Sequence, residues 1–202
     1  MLYRIVLSLV SSSSDSIGRF LLCNFFFRDV QSSVACVYAP NYNPEQDNSL
    51  SDVASRVDPS VPTFLVGDFK AVFDRAIDRM GSVVGDVSRE SSIALGRLFS
   101  NVCCIDIRSY LHPSSSGFTW TKAGGSLSSR IDLIASPYIW VASVSACDTC
   151  PALFLTILPL CFLCPSLVLF HLGLVYGNLM SRVWKKKSIF ILFVTFGLLG
   201  DV

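Results

Sequence analysis

Two short strings place carboxylates where a chain can do chemistry: Gly67-Asp68-Phe69-Lys70 and Ser129-Arg130-Ile131-Asp132. Each sets an aspartate at the end of a run with the form of a buried strand. Upstream, Tyr38-Ala39-Pro40-Asn41 adds a phenol and an amide. Together these groups have the make-up of half a metal-dependent phosphodiesterase site. Cleaving a phosphodiester needs a Mg²⁺ to neutralise charge, an activated water, and donors that hold the phosphate in line. Mg²⁺ prefers oxygen ligands and keeps several waters, so a few carboxylates from separate strand ends suffice. Two features cut across that reading. Lys70 stands where such a site wants a neutral amide, and the one histidine after the second string, His171, lies in the apolar tail and does not follow a Ser-Asp pair.

The elements that must position these groups are legible in outline. Arg19 to Phe27 is apolar and aromatic, as a buried strand is. Ser33 to Tyr38 is a second strand, with Val34, Cys36 and Tyr38 on one face and Val37 on the other. Pro40, Asn41, Asn43 and Pro44 stop it in a loop. Leu50, Val53 and Val57 recur at helical spacing, which predicts a helix over Asn48 to Val57 capped by Asp47 or Asn48. Thr63 to Val66 is a short apolar run ending at Gly67, the form of a central strand. Ala71 to Gly85 is polar and turn-rich. Ile93, Leu95, Leu98 and Phe99 predict an amphipathic helix over Ser91 to Phe99. Phe118 to Thr121 and Arg130 to Ala135 read as strands separated by a Gly124-Gly125 turn. Alternation of this kind implies a layered α/β or α+β core.

Composition bounds the rest. The 202 residues suit one domain, or one domain with an appendage. A formal net charge of +1 supplies no global field for nucleic acid, so a DNA binder would use a local patch. The hydrophobic fraction of 51% is unevenly spread: Ala152 to Met180 holds no Asp, Glu, Lys or Arg. Arg182 and Lys185 to Lys187 follow it. Eight cysteines are present, and Cys23, Cys36 and Cys103 sit in apolar runs, where a free thiol behaves as a small hydrophobe. A reducing compartment is expected. Cys147-x-x-Cys150 and Cys161-x-x-Cys164 mimic a zinc motif, but the intervening loop is short and Leu153 to Leu160 is apolar, so zinc is not expected. Met1 to Val10 lacks a convincing signal cleavage site, and Ser11 to Ser14 reads as a loop.

Five strings occur in order: Tyr38-Ala39-Pro40-Asn41, Gly67-Asp68-Phe69-Lys70, Asp74 to Arg79, Phe118-Thr119-Trp120 and Ser129-Arg130-Ile131-Asp132. Their order and spacing resemble the endonuclease domain of LINE-type (non-LTR) retrotransposons, in the endonuclease/exonuclease/phosphatase superfamily. The likeness runs from about Asp15 to Pro151. It implies a partial two-sheet α/β sandwich over residues 15–151, after an N-terminal segment 1–14 and before an apolar tail 152–202. It implies Mg²⁺ as cofactor, DNA as partner, no small-molecule cofactor, and a nuclear or cytoplasmic location. By resemblance, Asp68 orients or deprotonates the attacking water and is the tentative metal ligand. Tyr38 donates its hydroxyl to the phosphate, and Asn41 braces the same pocket. The residue at position 70 is an amide on the phosphate, a place held here by Lys70. Asp132 orients a catalytic histidine from behind, while Arg130 and Trp120 shape the floor and the DNA-facing rim. Structural roles compete with these. Asp68 can satisfy backbone donors after a strand, Tyr38 and Trp120 can be core aromatics, and Asp132 can pair with Arg130.

The chain departs from the family pattern in three places. The Asn and the Gln-Glu that precede Tyr38 in the family, the Glu being the main metal ligand, are not found there. Lys70 replaces an Asn, and its ammonium is expected to pair with Asp68 and compete with a metal. The Ser-Asp-His that should follow Asp132 is missing. Its absence has a candidate genetic cause. Phe154 to Ile157, written TTT CTG ACC ATT and read two bases on, spells Ser-Asp-His. The same offset can give Gly-Leu-Trp-Lys-Phe over Leu174 to Leu179, Glu-Glu-Lys-Glu-Tyr-Phe over Trp184 to Phe190 and Asp-Phe-Trp-Ala-Ser-Trp over Val194 to Gly200. An inactive, frameshifted copy of the endonuclease is therefore expected. Two alternatives stand beside it. One is a membrane protein anchored through residues 152–180, a stretch long enough to span a bilayer with its basic flank at Arg182 and Lys185. The other is a nucleic-acid-binding remnant without catalysis.

Overall fold

The computed structural model describes residues 2–4, 9–27, 29–41, 43–81, 88–144 and 146–149, and in the tail the strands at 159–164, 168–173 and 194–197. In chain order the elements of the first half are β1 (Leu2–Arg4), β2 (Leu9–Ser14), β3 (Phe20–Phe27), β4 (Val30–Tyr38), α1 (Asn43–Arg56), β5 (Thr63–Asp68), α2 (Arg75–Asp78) and β6 (Arg79–Met80). They are followed by α3 (Ser88–Asn101), β7 (Cys104–Asp106), α4 (Ile107–Leu111), β8 (Trp120–Thr121), β9 (Ser128–Ser129), β10 (Asp132–Pro137), α5 (Tyr138–Val141) and β11 (Ala146–Thr149). The tail contributes β12 (Pro159–Cys164), β13 (Val168–Gly173) and β14 (Val194–Gly197).

A six-stranded sheet in the order β2-β3-β4-β5-β10-β7 carries the fold. Its one parallel pairing joins β4 to β5, and α1 makes the crossover that such a pairing needs. β5 is buried along its whole length, as a strand covered on both faces must be. One face of the sheet packs on α1 and α3. There Ala35, Val37, Leu65 and Leu133 from the strands meet Leu50 and Val53 of α1 and Leu95, Leu98 and Phe99 of α3. The alternation of β4 therefore resolves with Ala35 and Val37 toward the helices, and Cys36 and Tyr38 on the opposite face. A small sheet, β6-β9-β8, stands apart from the large one. Its β8-β9 hairpin closes on Gly124 and Gly125, both at positive φ, with the Gly125 N–H donating to the Lys122 carbonyl at 2.9 Å. The described chain is thus an α/β fold built on two sheets, with a five-stranded set, β1-β14-β13-β12-β11, formed by the ends.

Three expectations change. Helix α1 starts at Asn43, not Asn48, because Pro44 falls in its first turn, where a proline's missing N–H costs nothing. Ser11 to Ser14 is not a loop: it pairs with Leu21 to Asn24 as an edge strand, so the large sheet begins before residue 15. Within 152–180 the described pieces are β12 and β13, paired antiparallel, and not one continuous helical span. Among the described residues no helix is long and apolar enough to cross a membrane.

Candidate active site

Register builds the site. Tyr38 ends β4, Asp68 ends β5 and Asp132 opens β10. The parallel pairing sets Tyr38 opposite Asp68, and the antiparallel pairing sets Asp68 opposite Asp132. Residues paired across a sheet share a face, so the three side chains form one row on the face turned away from α1 and α3. Both aspartates are 2% exposed. Gly67 lets this happen. A Cβ there would stand 1.9 Å from the Val37 carbonyl oxygen, so only glycine lets β4 and β5 close up just before the row. Backbone bonds extend the pairing one step past it. The Ala39 N–H donates to the Asp68 carbonyl and the Phe69 N–H to the Ile131 carbonyl, each at 2.8 Å.

Lys70 closes over the row. Its backbone is left-handed, with φ at 53°, and its N–H donates to Asp68 Oδ1 at 3.2 Å. Its Nζ pairs with Asp68 Oδ2 and lies 5.3 Å from the centre of the Tyr38 ring. One lysine therefore contacts both carboxylate oxygens of Asp68 and the face of the neighbouring phenol. Burial pushes the Asp68 carboxyl up to about 6; the adjacent Asp132 charge pushes the same way, and Lys70 offsets only part of this.

Arg130, expected to shape the floor of the site, lies beneath the surface. It is 2% exposed and forks onto two buried carboxylates. Its Nε and Nη2 donate to Asp78 at 2.6 and 2.9 Å, and its Nη1 and Nη2 donate to Asp106 at 3.1 and 2.7 Å. Planar guanidinium matches paired carboxylates in this way, and the site for a phosphate is already filled. Those two carboxylates hold the Arg130 proton more tightly than usual. The partner of Arg130 is thus not Asp132. Trp120, 39% exposed on β8, keeps part of its indole in solvent. Asn41 is exposed in the loop leaving β4.

The row as it stands does not fit a divalent cation. Mg²⁺ needs open carboxylate oxygens. Both oxygens of Asp68 are engaged by Lys70, and among the described residues no group of three His, Cys, Asp or Glu side chains could hold a metal. Of the four cysteines in the zinc-like pattern, only the Cys147 side chain is described, and it is buried.

Two further residues shape the site, and sequence reasoning assigned a role to neither. Thr119 Oγ1 accepts from the N–H groups of Ile131 and Asp132, both at 3.1 Å, and so fixes the entry to β10. Gln46, buried on α1, donates from Nε2 to the Phe69 carbonyl at 2.8 Å and accepts from Ser91 Oγ at 2.6 Å. It ties both helices to the turn that carries Lys70. Thr119 lies inside the Phe118-Thr119-Trp120 string, whose hydroxyl was a usable clue. A lone glutamine on a helix gives none.

No protein-family model matches the sequence, and a search of the curated proteins finds no match. Solved structures do match. An AP endonuclease from Leishmania major is similar at a TM-score of 0.56 and 17% identity, over 69% of this chain and 52% of that one. A 3′ phosphatase from Neisseria, bound to a product DNA hairpin, is similar at 0.51 and 16% identity, over 71% of this chain and 64% of that one. An AP endonuclease from Archaeoglobus fulgidus is similar at 0.50 and 14% identity, over 64% and 57% of the two chains. The chain spans about half to two thirds of the length of these structures. What it shares with them is the fold: an α/β architecture found in two AP endonucleases and a 3′ phosphatase.

Proposed function

We propose that residues 15–151 carry part of a DNA endonuclease of the non-LTR retrotransposon type, one that has lost phosphodiester hydrolysis. The observation that carries this is the single row Tyr38–Asp68–Asp132 with the Lys70 ammonium seated on Asp68. The row supports descent from a phosphate-cleaving centre, because a phenol and two carboxylates converge at adjoining strand ends. The ammonium supports loss of activity, because it takes the carboxylate that a metal and an attacking water would need. No Ser-Asp-His follows Asp132 to supply a base. DNA is the partner this reading implies, in keeping with the hairpin bound by the Neisseria 3′ phosphatase. Residues 152–202 are, on the same reading, translated out of frame.

Supercoiled plasmid incubated with the full chain and Mg²⁺ tests the reading. Nicking is expected to stay at background. Metal-dependent nicking that disappears in Asp68→Ala would overturn it. The frame shift is tested by the coding DNA, which must spell Ser-Asp-His across Phe154 to Ile157 two bases on.

A further inference from the structure

Helices α1 and α3 leave a cavity of about 310 Å³ between them, in the helical layer and away from the Tyr38–Asp68–Asp132 row. The Ser91 hydroxyl donates to Gln46 Oε1 at 2.6 Å, so the N-terminal turns of the two helices meet and the helices run side by side in one direction. The charges around the cavity are sorted accordingly. Asp47, next to Gln46, and Glu90, next to Ser91, stand at its N-terminal end. Arg97 stands two turns further along α3, about 10 Å on at the helical rise per residue. Leu50 and Leu98, each 1% exposed, floor the space between, and the exposed Ile93 flanks it. Carboxylates near helix N-termini are favoured by the macrodipole, which accounts for the acidic end. It does not account for Asp47 Oδ1, which is buried and has no hydrogen-bond partner among the described residues. A buried acceptor is ordinarily paired, so this oxygen points to a donor that the cavity admits.

We propose that the α1–α3 cavity binds a small zwitterion, with an ammonium and a carboxylate at opposite ends of an apolar stem. The ammonium sits at Asp47 and Glu90, the stem lies over Leu50 and Leu98, and the carboxylate reaches toward Arg97. Volume sets the class of ligand. The cavity is at the small end for ligand pockets, and a partner helix, about 10 Å across, is too large for it. An ω-amino acid has the charges, the stem and the size. Binding here does not depend on the aspartate row, which lies on the face of the sheet turned away from both helices.

6-Aminohexanoate is the probe, titrated into the full chain by isothermal calorimetry, with hexanoate and hexylamine as controls. The wild-type chain is expected to bind one 6-aminohexanoate. Each control should bind at least about tenfold more weakly, since each lacks one charged end. Asp47→Asn is expected to weaken binding of the zwitterion by at least about tenfold. Asp52→Asn, which alters the Asp52–Arg56 pair on α1 outside the cavity, should leave it unchanged. Absence of saturable binding in wild type would overturn the inference. So would a control that binds as tightly as the zwitterion, which would mark a merely apolar cleft, and so would unchanged binding by a folded Asp47→Asn. If circular dichroism shows that Asp47→Asn does not fold, Glu90→Gln, exposed at the same end of the cavity, is read against the same outcomes.

Discussion

Asp68 and Asp132 face each other directly across the antiparallel pairing of β5 and β10, both buried, with the Lys70 ammonium paired to Asp68. A sheet chosen for stability alone would not place like charges there.

That opposition sets a pH dependence. The Asp68 carboxyl stands at about 6 in the fold against an ordinary 3.8, so the folded chain grips this proton more tightly than the unfolded chain does. The stability it contributes is therefore full below about pH 4 and is lost as pH rises through about 6. The urea midpoint is expected to fall across that window in wild type and to flatten in Asp68→Asn. Asp132→Asn should lower the Asp68 titration seen by carboxyl carbon resonance, since it removes a neighbouring negative charge. An Asp68 that titrates in the ordinary carboxylate range in wild type would refute the assignment.

Arg130 is the second point of leverage. Arg130→Met leaves Asp78 and Asp106 buried without their cation and should cost about 3–5 kcal/mol in urea unfolding. Arg130→Lys should recover little, because a point charge cannot fork onto two carboxylates at once. A loss below about 1 kcal/mol for Arg130→Met would show that the cluster is wetter than its burial implies.

Gly67→Ala tests the close approach of β4 and β5. The new methyl would meet the Val37 carbonyl at 1.9 Å, and the strands must part to admit it. A loss of about 1–3 kcal/mol is expected, with faster amide exchange at Tyr38 and Ala39 than at Leu22. Uniform exchange rates would place the cost elsewhere.

Much of this was legible in the sequence, and the part that was not has a physical reason. The strands β3, β4, β5 and β10 announce themselves as apolar runs, and the aspartates stand out at their ends. That Tyr38, Asp68 and Asp132 fall in one row is a matter of register, which only the paired strands define. The partners of Arg130 were hidden for a similar reason. Its nearest carboxylate along the chain is Asp132, but its partners Asp78 and Asp106 lie 52 and 24 residues away. Strand β7 and helix α4 were not foreseen, being three and five residues long, too short for any period to show. The start of α1 was missed because Pro44 reads as a breaker unless it is known to sit in a first turn.

Strand β2 closes one side of the large sheet with a face of serines exposed along its length, next to an exposed Leu9 and Val10. Ser11 to Ser14 carries no proline or charge, and its register slips only between Leu9 and Ser11. Such a rim offers its outward amides and carbonyls to any extended peptide that arrives. The protein is therefore expected to self-associate as its concentration rises, and one lysine installed at Ser12 is expected to blunt that edge.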